Sequence, residues 1–184
     1  MNRLIPTLII VFYAVTGFAQ APNWEWARID NGTSVTASAG YRKQAVAVSK
    51  NVLLWATLQN SKYTATPAAY GDYRLTEYNL AGNLLNSASI TGKVCIVDMK
   101  ADTLNNWYIL GKYNDSLQFG TLSRVNSNLT APYYFLMKVD GSTLGMVWFK
   151  DIGTDYYSSA ESIFVKGDNL YMAVDSALTS SIYN

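Results

Sequence analysis

The sequence predicts an all-β fold built from repeated four-stranded units, and three observations predict it. Fourteen Tyr, six Phe and five Trp stand against 15% charged residues, a balance suited to pleated sheets, on which aromatic and β-branched side chains pack well. Short runs of alternating or continuous apolar character recur between Gly, Asn, Asp and Ser clusters, and after residue 20 no useful length of helical periodicity occurs. The third observation is recurrence. Leu53-Leu54-Trp55-Ala56 returns as Trp107-Tyr108-Ile109-Leu110 and again as Leu170-Tyr171-Met172-Ala173, at separations of about 54 and about 63 residues. That spacing falls in the range of four-stranded propeller blades with loop insertions.

Met1, Asn2 and Arg3 make a short positive start before an apolar stretch at 4–18, about the length of a signal-peptide core and short of a membrane span. Gly17 and Ala19 put small residues where a signal peptidase reads, and Pro22 disfavours a cut after Ala21. Residues 1–19 therefore read as a signal peptide, with a mature chain from Gln20 that is secreted or held at the cell surface. A buried N-terminal strand or an uncleaved anchor is the competing reading. Trp24-Glu25-Trp26-Ala27-Arg28 alternates as a strand does, with both Trp on one face. A loop at 30–40 follows, marked by Asn31-Gly32. Strands at 45–48 and 52–58 flank the turn Ser49-Lys50-Asn51 and form a hairpin in outline. The polar stretch 59–70, with Pro67, is an outer loop; strands at 73–78 and 84–90 around the turn 79–83 complete a first unit.

A second unit keeps this order. Strands at 94–99 and 107–112 flank a polar connection, 117–122 is a short excursion, 126–131 a loop, and strands at 133–139 and 146–150 enclose the turn 140–145. A third unit opens with 162–165, turns at 166–169 and continues through 170–174. Two further landmarks repeat: 78–83 matches 139–145, and Trp24 to Arg28 matches 146–150. The units are thus 24–90, 91–153 and 154–184 within a mature region 20–184. They read as two to three antiparallel four-stranded blades of an incomplete β-propeller. A propeller closes with about four to eight blades, so the remainder of the ring is expected beyond Asn184, and the chain reads as an N-terminal piece of a longer protein. Pairing between copies is the alternative, because open blades leave strand edges uncovered.

Composition removes several function classes. There is no histidine, which excludes Ser-His-Asp and Cys-His catalysis and the commonest zinc ligand. Cys95 is the single cysteine; no intrachain disulfide can form, and its apolar neighbours Val94, Ile96 and Val97 make it a small buried hydrophobe. A net charge of +1 with scattered charges offers no basic stripe for nucleic acid.

At Leu117-Gln118-Phe119-Gly120, Phe135-Leu136-Met137-Lys138-Val139-Asp140 and Val147-Trp148-Phe149-Lys150 the chain resembles the secreted bacterial beta-propeller repeat, or SBBP type, of exported Bacteroidota proteins. The resemblance spans 24–174 and rests on the order of its motifs. The first unit departs from it: the Phe-Gly step is missing, and Tyr78-Asn79 stands where a hydrophobic-Asp pair is usual. What the resemblance implies is a scaffold whose propellers accompany adhesive modules, with no enzymatic activity attached to the repeat.

The residues themselves mark no catalytic, cofactor or metal set. Asp151 and Asp155 bracket Gly153-Thr154 at a spacing that could hold calcium, but such a loop presents more oxygen ligands, and a solvated turn is the stronger reading. Asp98 and Asp102 could lie close at a strand end, as a glycosidase pair must, without a second matching feature. Trp24, Trp26, Trp55, Trp107 and Trp148 read as packing between units rather than sugar platforms. The loop aromatics Tyr63, Tyr70, Tyr156 and Tyr157 are the surface candidates for ligand contact, since Tyr presents a rigid body and a polar tip. The expected function is an exported, non-enzymatic scaffold for binding or adhesion at the cell surface, with an extracellular protein or glycan as partner. No cofactor, nucleic acid or transmembrane segment of the mature chain is expected. The alternatives are part of a propeller-type polysaccharide hydrolase or lyase, and a self-assembling structural β protein.

Overall fold

The structure, a computed structural model, describes residues 45–61, 70–127, 131–154, 158–167 and 169–176. The expected signal segment, the strand at Trp24 to Arg28 and the loop residues Tyr63, Tyr156 and Tyr157 lie outside them. Ten strands and no helix make up the described chain: β1 (Ala45–Val48), β2 (Val52–Ser61), β3 (Gly71–Asn79), β4 (Leu84–Ala101), β5 (Trp107–Phe119), β6 (Leu122–Val125), β7 (Tyr133–Val139), β8 (Met146–Thr154), β9 (Ser158–Lys166) and β10 (Asn169–Ser176). Eight of them form one antiparallel sheet in the order β1-β2-β3-β4-β5-β7-β8, with β6 paired to the end of β5. That sheet curls into a half-barrel. β9 and β10 form a separate hairpin.

The curl originates in β4. The sequence predicts two strands there with a unit boundary between residues 90 and 91; the structure runs one strand of 18 residues through both. No residue between Ile90 and Val94 supplies a turn, and Gly92 bends the strand instead of ending it. Gly92 has φ 125°, a conformation that L side chains rarely adopt, and a Cβ there would lie 2.1 Å from the Ser116 carbonyl oxygen. The register slips between Gly92 and Val94 on the β5 side and between Gly71 and Tyr73 on the β3 side. The Asp72 carboxylate accepts the Gly92 N–H at 2.8 Å, closing the corner. A strand bent at a bulge in this way can serve two sheets at once. The first part of β4 pairs with β3 and the last part with β5.

The curled sheet is thereby two four-stranded meanders sharing a strand: β1-β2-β3 with the start of β4, and the end of β4 with β5-β7-β8. The expected excursion at 117–122 is the continuation of β5, which turns at Gly120 and Thr121 into β6. The meanders face each other across the main core, where Leu54, Leu75 and Tyr73 of the first meet Trp107, Ile109 and Met137 of the second. A second apolar cluster lies on the opposite side of β5 and β7: Tyr108, Leu110, Tyr134 and Leu136 pack with Ala160 and Ile163 of β9.

Alternation along each strand ties these layers to the repeat. In the recurring four-residue motif, the second and fourth positions of the first meander, Leu54 and Ala56, face the second meander. The second and fourth positions of the second, Tyr108 and Leu110, face the β9-β10 hairpin. The first and third positions point back, Trp107 and Ile109 to the first meander and Leu170 and Met172 to the second. Three successive layers therefore stack in the same sense. Gly111 lies under Phe135 on the middle layer, where a Cβ would meet the ring at 2.5 Å and the Cys95 carbonyl oxygen at 2.9 Å. Gly111→Ala is expected to destabilise the fold by about 1–3 kcal/mol through overpacking, read from urea unfolding of the two proteins side by side.

Candidate functional site

Each meander places its first and third turns at one end of the molecule. Ser49, in the β1-β2 turn, donates its hydroxyl to Asn105 Oδ1 in the β4-β5 turn, and Asn86 Nδ2 donates to the Ser142 carbonyl in the β7-β8 turn at 3.0 Å. Three equivalent turns, one from each layer, surround a shallow hollow of about 230 Å³ lined by Ser49, Lys50, Asp102, Thr103, Val165 and Gly167. The short side chains of this group build turns before they can hold a ligand, as Asp102 illustrates. Its carboxylate accepts the Leu104 N–H at 2.9 Å, the Asn106 N–H at 2.8 Å and Asn106 Nδ2 at 2.9 Å. Lys138 Nζ pairs with it at 3.1 Å. Burial works to raise the Asp102 pKa, and the donors from Asn106, Lys138 and Leu104 outweigh it and hold it below the ordinary carboxylate value. Lys138 also sits 4.9 Å from the Tyr108 ring centroid, and its pKa is raised, first by the Tyr108 hydroxyl and then by Asp102.

Asp98 is committed in the same way. Oδ1 accepts Lys100 Nζ at 2.7 Å and the Met99 N–H at 2.8 Å. Oδ2 accepts Ser162 Oγ at 2.7 Å and the Ile163 N–H at 3.0 Å. The carboxylate therefore clamps β9 onto β4. Burial again raises its pKa, and the Lys100, Ile163 and Ser162 donors lower it further than burial raises it, so the net shift is downward. A general acid for glycoside cleavage needs the opposite shift. Neither carboxylate of the pair considered from sequence is held in that state.

Asp151 accepts the Tyr113 hydroxyl at 2.9 Å and faces Arg124 Nε at 3.4 Å; Asp155 lies outside the described residues. Among the described residues no group of three or more metal-ligating side chains occurs, and no helix is long and apolar enough to cross a membrane. Trp107 is buried in the main core and Trp148 packs edge-on against Tyr108 at 5.9 Å.

Tyr70, expected on the surface, is buried at 6% exposure, with Lys112 Nζ 5.8 Å from its ring centroid. Burial raises its pKa well above the ordinary tyrosine value. The strand ends that flank the other loop tyrosines, Ser61 before Tyr63 and Thr154 before Tyr156 and Tyr157, lie at the end of the sheet opposite the hollow.

Sequence reasoning missed Glu77, whose carboxylate is 1% exposed within the core. It accepts Trp107 Nε1 at 3.0 Å and Asn86 Nδ2 at 2.9 Å. The signal was available: Tyr73, Leu75 and Glu77 alternate onto one face, so a carboxylate falls at a core position. Trp55 Nε1 and Thr76 Oγ1, cross-strand neighbours, are buried with no hydrogen-bond partner among the described residues.

Comparison of the chain with protein-family models, with curated proteins and with solved structures returned no match.

Two outcomes follow from these pairings. Trp107→Phe removes the indole donor from a buried carboxylate and is expected to cost about 1–3 kcal/mol, measured by denaturant unfolding. Asp98, Asp102 and Asp140 all have lowered folded pKa values, Asp140 to about 2 through the Ser142 hydroxyl and the neighbouring Ser142 and Thr143 donors. Their stabilisation is complete above the unfolded carboxylate value of about 3.9 and is lost as pH falls through the folded values. The urea midpoint should hold down to about pH 5 and drop between about pH 4 and pH 2, and Asp98→Asn should make that drop shallower.

Proposed function

We propose that the chain is an exported, non-enzymatic repeat scaffold of β-propeller type that binds an extracellular protein or glycan at the cell surface. The observation that supports it most is the stacking of three successive layers by equivalent motif positions, Leu54 and Ala56 toward the second layer, Tyr108 and Leu110 toward the third. A radial array of sheets packs neighbours in this repeated sense. The family resemblance of 117–120, 135–140 and 147–150 agrees with that arrangement. Export is inferred from residues 1–19, and those residues fused to a reporter should carry it out of a bacterial cytoplasm.

Binding is assigned to the end that carries the connections at 62–69 and 155–157, with Tyr63, Tyr156 and Tyr157 as its contacts. The non-enzymatic part rests on chemistry: Asp98 and Asp102 are held as acceptors by structural donors, and the chain has no histidine. An array of plant and algal glycans and of extracellular proteins tests both parts. The reading expects retention of at least one probe, weakened roughly ten-fold or more by the combined Tyr63→Ala, Tyr156→Ala and Tyr157→Ala changes. Sustained release of reducing ends from any glycan would overturn it in favour of a hydrolase or lyase.

A further inference from the structure

On the face of the first meander turned away from the second, a strip along β2 and β3 is buried. Thr57 is 5% exposed there, and Thr76 and Tyr78 are 4% exposed. Trp55 stands opposite Thr76, and Leu53 opposite Tyr78. Neither Trp55 nor Tyr78 is part of either apolar cluster of the described residues. The Trp55 indole nitrogen and the Thr76 hydroxyl are buried with no hydrogen-bond partner among those residues. In the second layer, by contrast, the backward-facing indole of Trp107 donates to Glu77 of the layer before it. Buried donors are rarely left unpaired, so a cover and an acceptor are due at this strip from elsewhere. The strip is also narrow. On one side of it Val46 and Val48 of β1 are 51% and 61% exposed, and on the other Ser87 and Ser89 of β4 are exposed.

We propose that the segment Trp24 to Arg28 of this same chain seats on the strip, with the rings of Trp24 and Trp26 over Trp55, Thr76 and Tyr78. Width favours this occupant over a second copy. Strands lie about 4.8 Å apart, so a whole sheet laid on this face would cover β1 and the start of β4 as well, whereas the side chains of one strand fill a strip two strands wide. Spacing agrees: positions two apart in a strand are about 7 Å apart, which matches Trp24 and Trp26 to Thr76 and Tyr78. The connection reaches easily. Sixteen residues, 29–44, join the segment to β1, the neighbour of β2, and could extend to about 50 Å. The direction in which the two Trp face rests on the repeat reading: 24–28 matches 146–150, where Trp148 faces forward onto Tyr108 at 5.9 Å. A carbonyl or carboxylate of the segment then accepts the Trp55 indole proton, as Glu77 accepts that of Trp107.

Hydrogen exchange at the tryptophan indoles, followed by heteronuclear NMR on the chain from Gln20 onward, reads the cover directly. The Trp55 and Trp107 indoles are both expected to be protected in the parent. Trp24→Ala and Trp26→Ala together should speed exchange at Trp55 roughly ten-fold or more and leave Trp107 protected, which verifies that the core between the meanders is intact. Unchanged exchange at Trp55 overturns the proposal. Protection of Trp55 that falls on dilution of the parent assigns the cover to a second copy and overturns it too.

If the paired change loosens Trp107 as well, urea unfolding of Trp26→Ala, Tyr78→Ala and their combination decides. A shared contact makes the combined loss in the folding constant smaller than the product of the single losses, and simple multiplication overturns the seat. Loss of stability on Ile163→Ala, with Trp55 still protected in the tryptophan variants, leaves the stacked layers standing and removes only this contact. Indifference to Ile163→Ala would instead overturn the layered reading itself.

Discussion

A strand of 18 residues extended at about 3.3 Å per residue would reach roughly 60 Å, far beyond what the core of a chain this size can cover. β4 avoids that by bending at Gly92, where a neighbouring carbonyl oxygen occupies the space of a side chain. Everything else in the curled sheet depends on this corner. It brings Leu75 and Tyr73 opposite Trp107 and Met137, and it returns the start of β4 to the neighbourhood of its end, so that Asn86 reaches the turn after β7. With the corner opened, the two meanders would keep their ladders and lose the core between them.

Polar groups then latch the layers that apolar packing brings together. Glu77 crosses the main core to the Trp107 indole, Asp98 crosses to the backbone of β9, and Ser49 crosses between turns. Each joins one layer to the next rather than reinforcing a single hairpin. A buried carboxylate without a cation beside it is costly unless donors surround it, and Glu77 has the indole and an amide. Such groups contribute little net energy and a good deal of geometric definition, since apolar faces alone would tolerate a slip of one layer over another.

Much of this was legible in sequence because it rests on local signals. The bounds of β1 and β7 coincide with those read from alternation, and the turns at 79–83 and 140–145 match in both position and order. In the first two copies of the motif, corresponding positions lie on corresponding faces, Leu54 and Ala56 like Tyr108 and Leu110. What escaped depends on contacts distant in the chain. Continuity of β4 through Gly92 follows from β3 and β5 pairing on both of its sides, which no window of sequence contains. Tyr70 follows a polar stretch and reads as exposed, yet it is buried, with Lys112 of the second meander over its ring. Half of the donors to Asp98, Ser162 and the Ile163 N–H, lie on β9 and out of reach of any local reading, whereas Asp102 is held mainly by Leu104 and Asn106 of its own turn, with Lys138 of β7 added.

The shared strand also governs how the molecule would yield to a pull along its chain. Because β4 belongs to both meanders, neither can be extracted without breaking ladders of the other, and the two must give way as one mechanical unit. The β9-β10 hairpin has no strand in common with them; it is held by a small apolar cluster and the Asp98 clamp. Tension applied from its side would peel that hairpin first, leaving the folded half-barrel as a load-bearing remnant.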